Sequence, residues 1–231
     1  MMDNMPRTYI FGIGTGRCGT QSLARFLSMQ KGVMVYHELI DPYSLKTYGN
    51  HTLPWLPDLD KLKLKLKYLD ELDYPIVGDV AFYYLNYIPY LQKMRNIKVI
   101  AIEREKDKVI KSFHFLALGV NHWASPLMNQ WQEDINSFDY IWHNTWPDLD
   151  HIKSKQEALS TYYDLYILRT RSLQLELGPN MLTISLDEFN TKEGQDKILE
   201  FIGIPKEERK YKRVHTHKLM SRRLKYEGDK V

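Results

Sequence analysis

The chain has 231 residues, about one and a half times the ~150 of a typical domain, which points to one domain with elaborations. Apolar residues make up 43% and charged residues 26%, a globular balance that excludes collagen, a coiled coil and wholesale disorder. Thirty-two Lys and Arg against 29 Asp and Glu leave a net charge of +3, too small to argue for nucleic acid, and none is expected as a partner.

Cys18 is the only cysteine, so an intramolecular disulfide and a cysteine-based zinc site are both excluded. No stretch approaches the ~18 uninterrupted apolar residues of a membrane span. Met1 to Arg7 leads into no long apolar signal segment, so the expectation is a cytoplasmic protein. Charge is uneven along the chain: 206–231 carries ten Lys or Arg against four Asp or Glu, which suits an anionic ligand or a solvated basic tail.

Tyr9-Ile10-Phe11-Gly12-Ile13 predicts a short strand running into a glycine cluster, and Gln21 to Gln30 a helix with Leu23, Phe26 and Leu27 at helical spacing. Gly32 closes that helix, and Val33-Met34-Val35-Tyr36 predicts a second strand that delivers His37 and Glu38 at its end. Prolines with Gly49 and Asn50 make 41–57 a loop. Leu59, Leu62, Leu66 and Leu69 form a helical stripe, although 61–67 also alternates like a strand. A helix over 58–72 is expected there, with its lysines on a solvated face.

Ile76-Val77-Gly78-Asp79 predicts a third strand and 83–94 a helix interrupted at Pro89. Ile97 to Ile102 is the clearest buried strand, with Glu103 and Arg104 at its carboxyl end and a helix from about Asp107. Residues 124–150 are aromatic and polar without a clean period. A helix over 160–177, a strand over Met181–Ser185 and a short helix from Gln195 to Ile202, stopped by Gly203 and Pro205, complete the chain. Strands alternating with helices imply an α/β fold: a mostly parallel central sheet, helices on both faces, ligands at the carboxyl ends of the strands. The expectation is a single domain over 1–231, with 124–150 as an insertion and 206–231 as a basic C-terminal segment.

The loop from Gly12 to Ser22 joins the first strand to the first helix, where backbone N–H groups and the helix dipole make a natural anion site. A Walker A loop would need lysine where Thr20 stands and a metal-binding hydroxyl where Gln21 stands, so an ATPase or ordinary kinase is disfavoured. A cysteine phosphatase loop would need an arginine six positions after the cysteine, and Arg25 comes seven after Cys18. A dinucleotide fingerprint is met formally by Gly14, Gly16 and Gly19 followed by Glu38, which keeps an NAD(P)- or FAD-dependent oxidoreductase of Rossmann type open. A nucleotide-binding module without catalysis is also open.

Arg17-Cys18-Gly19-Thr20 resembles the 5′-phosphosulfate loop of the sulfotransferase family, with Cys18 in place of the usual serine and Gln21 in place of a second threonine. Lys98 to Phe113, a buried strand ending in Arg104 with Ser112 eight residues on, resembles the family's 3′-phosphate segment, with Glu105 where an asparagine is usual. Ser185-Leu186-Asp187-Glu188-Phe189 and Phe201-Ile202-Gly203-Ile204-Pro205 look like the family's late region. The order and spacing of these short motifs carry the resemblance over most of the chain, with Ala124 to Asp150 unmatched.

The resemblance implies a P-loop-like three-layer α/β/α fold and 3′-phosphoadenosine 5′-phosphosulfate as sulfuryl donor, passed in line to a hydroxyl or amine with no metal required. The acceptor would be a small molecule or a carbohydrate. It implies that Gly16, Arg17, Cys18, Gly19, Thr20, Gln21 and Ser22 cradle the 5′-phosphate, that Arg17 also neutralises the leaving oxygen, and that Arg104 and Ser112 hold the 3′-phosphate. The base is expected in Glu38 first and His37 second, since carboxylates near this point serve several family members and imidazole titrates near neutral pH. Asp79 and His114 are reserves. Lys218, with Arg222 and Arg223, is expected to close over the nucleotide. His122, Trp123, Trp131, Trp142, His143 and Trp146 line an acceptor lid or plain core, and Tyr162, Tyr163 and Tyr166 form a buried helical face or meet the adenine. His215 and His217 are a chance pair with no metal role.

Overall fold

The computed structural model describes residues 7–39, 53–114 and 155–211. Five strands are present among them: β1 (Thr8–Ile13), β2 (Val33–His37), β3 (Ile76–Val80), β4 (Ile97–Glu103) and β5 (Met181–Ser185). Around them lie helices α1 (Thr20–Leu27), α2 (Leu59–Asp70), α3 (Ile88–Met94), α4 (Lys106–His114), α5 (Lys155–Leu177), α6 (Leu186–Phe189) and α7 (Lys192–Ile202). The strands pair in parallel in the order β2-β3-β1-β4-β5.

The strands are apolar on both sides because both sides are covered. Tyr9, Phe11 and Ile13 of β1, with Ile97, Val99 and Ala101 of β4, join a core with Leu62, Leu66 and Leu69 of α2, Leu91 of α3, Val109 of α4 and Tyr166 of α5. Ile10 of β1, with Ile100 and Ile102 of β4, packs on the other face against Leu23 and Phe26 of α1 and Ile198 and Leu199 of α7. Three α/β/α layers result, as expected.

Strand order decides between two readings of the glycine loop. A dinucleotide-binding sheet runs 3-2-1-4-5-6, with the acid-bearing second strand directly beside the first. Here β3 lies between β2 and β1, so the oxidoreductase reading of Gly14, Gly16, Gly19 and Glu38 is corrected. The chain leaves β1 toward β2 on one side and β4 toward β5 on the other, which opens a crevice between the carboxyl ends of β1 and β4.

Two local expectations are also revised. Residues 61–67 are helical, but Lys65 is buried rather than on the solvated face with Lys61, Lys63 and Lys67. The break in 83–94 falls before Pro89, not at it: Phe82–Asn86 is a 3-10 turn, and Pro89 opens the first turn of α3, where a missing N–H costs nothing. At the far end of the sheet, the Gln30 side chain donates to the Lys210 carbonyl and accepts the Lys210 N–H, each at 2.9 Å.

Candidate active site

Side chains cap α2, α6 and α7: Asp58, Ser185 and Thr191 each accept a first-turn N–H. Helix α1 begins instead at Gly19, at φ 105 with no side-chain cap and no acidic residue in its first turn. Uncapped first-turn N–H groups at the end of a parallel strand are the kind of place that suits an external anion.

The loop leading to it is fixed from several directions. The Gly14 N–H donates to Tyr166 Oη at 2.9 Å, and any side chain at position 14 would stand 2.7 Å from the Ile102 carbonyl oxygen and strike the Cys18 sulfur. The Gly16 N–H folds back on the Gly14 carbonyl at 2.7 Å, so Gly16 shapes the turn. Gly16 and Arg17 are both left-handed, at φ 59 and 56, and for Arg17 that conformation costs roughly 1–2 kcal/mol.

Arg104, at the end of β4, offsets this cost by donating from Nη1 to the Arg17 carbonyl at 2.8 Å. Arg17 in turn donates from Nε to Ser112 Oγ at 3.2 Å. The three residues named as phosphate anchors from two distant segments thus meet in one crevice, all partly exposed. Burial first, and then the neighbouring Arg104 charge, hold the Arg17 guanidinium below its ordinary value. Two like charges brought this close favour an anion between them.

Beside the loop, Thr20 Oγ1 lies 3.0 Å from His37 Nε2. Glu38 and Leu39 follow β2 in left-handed conformation, at φ 57 and 53, a second strained point. Asp79 holds it: Oδ1 accepts the N–H groups of Leu39 and Val80, both at 3.0 Å, while Oδ2 accepts the Tyr84 hydroxyl at 2.7 Å. Lys65 Nζ, 3.5 Å from Asp79 Oδ2, donates to the Tyr83 hydroxyl at 2.9 Å. Asp79 is fully buried, and its carboxylate fixes the turn at Leu39 that follows Glu38.

Burial pushes the Glu38 carboxyl above its ordinary value; Asp79 adds to this, and His37 and Lys65 oppose it. Burial also pulls Lys65 down to about 8, with Asp79 and Glu38 opposing. The sequence offers one signal for Lys65, its place in the register of Leu62, Leu66 and Leu69.

Cys18 is wholly buried and burial pushes its thiol up to about 12, offset in part by surrounding N–H groups and the Thr15 hydroxyl. Gln21 is exposed and Ser22 buried at the start of α1. Residues 124–150, with Trp123 and His122, and Lys218, Arg222, Arg223, His215 and His217 lie outside the described residues, as does the side chain of His114.

A family model described as a sulfotransferase domain matches residues 9–220. Among solved structures, a sulfotransferase from Alicyclobacillus acidocaldarius is 16% identical at a TM-score of 0.50, over 88% of this chain and 83% of that one, a likeness of fold. A mouse sulfotransferase complexed with PAP is 17% identical at a TM-score of 0.48, over 86% and 60%. Retinol dehydratase in complex with androsterone and inactive cofactor PAP is 16% identical at 0.39, over 87% and 61%. A search of the curated proteins gave no match. With the family match running from β1 through both arginine-bearing loops to beyond α7, the chain belongs to the sulfotransferase family and is an enzyme of that class.

Proposed function

We propose that this enzyme moves a sulfuryl group from 3′-phosphoadenosine 5′-phosphosulfate to a hydroxyl or amine of a small molecule or carbohydrate. The observation that carries the reading is the meeting of Arg17, Arg104 and Ser112 at the uncapped start of α1. Backbone N–H groups from Arg17 to Ser22 hold the 5′-phosphate, with the Thr20 hydroxyl beside them. Arg17 stabilises charge on the phosphate oxygen as its bond to sulfur breaks. Arg104 and Ser112 take the 3′-phosphate, and Lys218 covers the nucleotide.

Glu38 accepts the acceptor's proton as the new bond to sulfur forms. Its raised proton affinity suits a base, while His37 is engaged with Thr20 and orients the donor loop. The products are a sulfated acceptor and adenosine 3′,5′-bisphosphate. One domain over 1–231 is consistent with a single sheet drawing strands from 8 to 185. No helix among the described residues is long and apolar enough to cross a membrane, and we place the reaction in the cytoplasm.

Thermal shift tests the donor assignment, because a ligand selective for the folded state raises the melting temperature. Adenosine 3′,5′-bisphosphate is expected to stabilise the protein more than ATP or NAD at equal concentration. Selective stabilisation by either of the others would refute the assignment. A panel of phenols, sterols, amines and sugars with labelled donor then identifies the acceptor.

A further inference from the structure

The β1 and β4 loops touch each other through side chains, but both are also tied to one element that carries none of the anchors. Tyr166 of α5 accepts the Gly14 N–H at 2.9 Å and donates to the Phe82 carbonyl at 2.8 Å, so one buried hydroxyl joins the glycine loop to the turn after β3. Tyr163 donates from Oη to the Arg104 carbonyl at 2.7 Å. Between them in sequence, Asp164 pairs with Lys106 Nζ at 2.6 Å, at the start of the helix that carries Ser112.

Residues three apart on a helix lie on one side of it with a rise of about 4.5 Å, so the two tyrosines form adjacent pegs on one rigid rod. Helix α5 has 23 residues, and its position is fixed by burial of Ala158, Leu159, Tyr162 and Leu173 in the core. The glycine loop needs such a tie, because Arg17 holds a left-handed conformation that local interactions do not favour.

We propose that Tyr163 and Tyr166 are positioning residues that set the spacing between the two phosphate anchors, and so make the site selective for a nucleotide phosphorylated at both ends. This rests on the donor reading above and deepens it. A ligand with two phosphates gains from both anchors only if they stand at its own span before it arrives; the second contact is then made at high effective concentration. A ligand with one phosphate is indifferent to the spacing. Removing the Tyr163 hydroxyl leaves every phosphate-binding group in place and loosens only the tie to Arg104.

Isothermal titration of wild type, Tyr163→Phe and Tyr166→Phe with adenosine 3′,5′-bisphosphate and with adenosine 5′-monophosphate tests this. Tyr163→Phe is expected to weaken the bisphosphate roughly five- to tenfold, within the range of one net hydrogen bond, and to change the monophosphate by less than about twofold. Tyr166→Phe is expected to weaken both, since it frees the 5′ loop itself. Equal losses of the two ligands in Tyr163→Phe, or no loss of either, would overturn the spacing role and leave the donor reading standing. A wild type that does not prefer the bisphosphate would overturn the donor reading, and the spacing role with it. Should Tyr166→Phe fail to fold with Gly14 unpaired, the half-buried Tyr163→Phe decides the question alone.

Discussion

The imidazole of His37 and the hydroxyl of Thr20 stand 3.0 Å apart, although β3 separates β2 from the strand that feeds the glycine loop. The end of β2 therefore reaches across its neighbour to the first residue of α1. His37 and Glu38 are adjacent in sequence, yet the left-handed turn at Glu38 gives them different surroundings.

Their substitutions should separate accordingly. His37→Ala is expected to weaken adenosine 3′,5′-bisphosphate several-fold, the scale of one hydrogen bond of about 1 kcal/mol. Glu38→Gln should leave that affinity within twofold or so and reduce turnover by roughly 10²–10⁴, the usual contribution of a general base. Titration calorimetry and labelled-donor turnover on the best acceptor check both. Full turnover in Glu38→Gln would remove it as the base.

The rate should also report the raised proton affinity of Glu38. A base must be unprotonated, so turnover rises with pH through the pKa of that carboxyl. Because burial and Asp79 raise it against the opposing charges of His37 and Lys65, the acid limb is expected above the ordinary glutamate value of about 4.3. A pH profile of kcat/KM measures it, and Glu38→Gln should lose that limb.

Arg104 serves twice, through its charge and through its bond to the Arg17 carbonyl. Arg104→Ala is expected to weaken the bisphosphate by about 10–100-fold, the range for charge-assisted hydrogen bonds. Arg104→Lys should recover only part of this, because an ammonium lacks the planar fork. Direct binding measurements would count against the anchor role if the alanine variant bound as wild type does.

The buried Lys65–Asp79 pair gives a stability prediction. Asp79→Asn strands the Lys65 charge and is expected to cost roughly 3–5 kcal/mol, whereas the double variant with Lys65→Met should recover much of it. The pH sign follows from Lys65 alone. Its folded value is about 8 against an ordinary 10.5, so between these values the unfolded chain binds more protons and this group's contribution to stability increases with pH. Denaturant melts of wild type and Lys65→Met from pH 8 to 10 should differ by that slope.

Cys18 should be inert while the protein is folded. Its thiol is fully buried and titrates at about 12, so iodoacetamide at pH 8 is expected to leave it unmodified until denaturant is added. Mass spectrometry before and after unfolding reads this directly, and rapid labelling of native protein would show the loop to be more open than described.

The strands were legible because parallel strands covered on both faces are short, nearly continuous apolar runs, and Ile97 to Ile102 could be little else. Arg17, Arg104 and Ser112 stand out only through the resemblance to the sulfotransferase segments, and the structure brings the three together in one crevice. Strand order was not legible: nothing between Leu27 and Ile76 states that β3 would insert beside β1, since that follows from how the crossovers pack. The sequence does not show the burial of Lys65, because a long polar side chain in a helix is ordinarily solvated and only the three-dimensional meeting with Asp79, Tyr83 and Tyr84 explains it. The roles of Tyr163 and Tyr166 were hidden for the same reason, as an aromatic pair at helical spacing reads as packing until its hydroxyl partners are known.

The reciprocal pair of bonds between Gln30 and Lys210 has a consequence for the basic tail. It fastens the chain at the amino ends of the strands, whereas the glycine loop is at their carboxyl ends. A five-residue strand such as β2 is about 16 Å long, and the seven steps from Tyr211 to Lys218 can span at most roughly 23–25 Å. For Lys218 to touch the nucleotide, this tether would have to use about two thirds of its full reach merely to pass the length of the strand. Deleting three residues from it would leave at most roughly 13–14 Å of backbone, shorter than the strand it has to pass, while leaving both arginine anchors untouched.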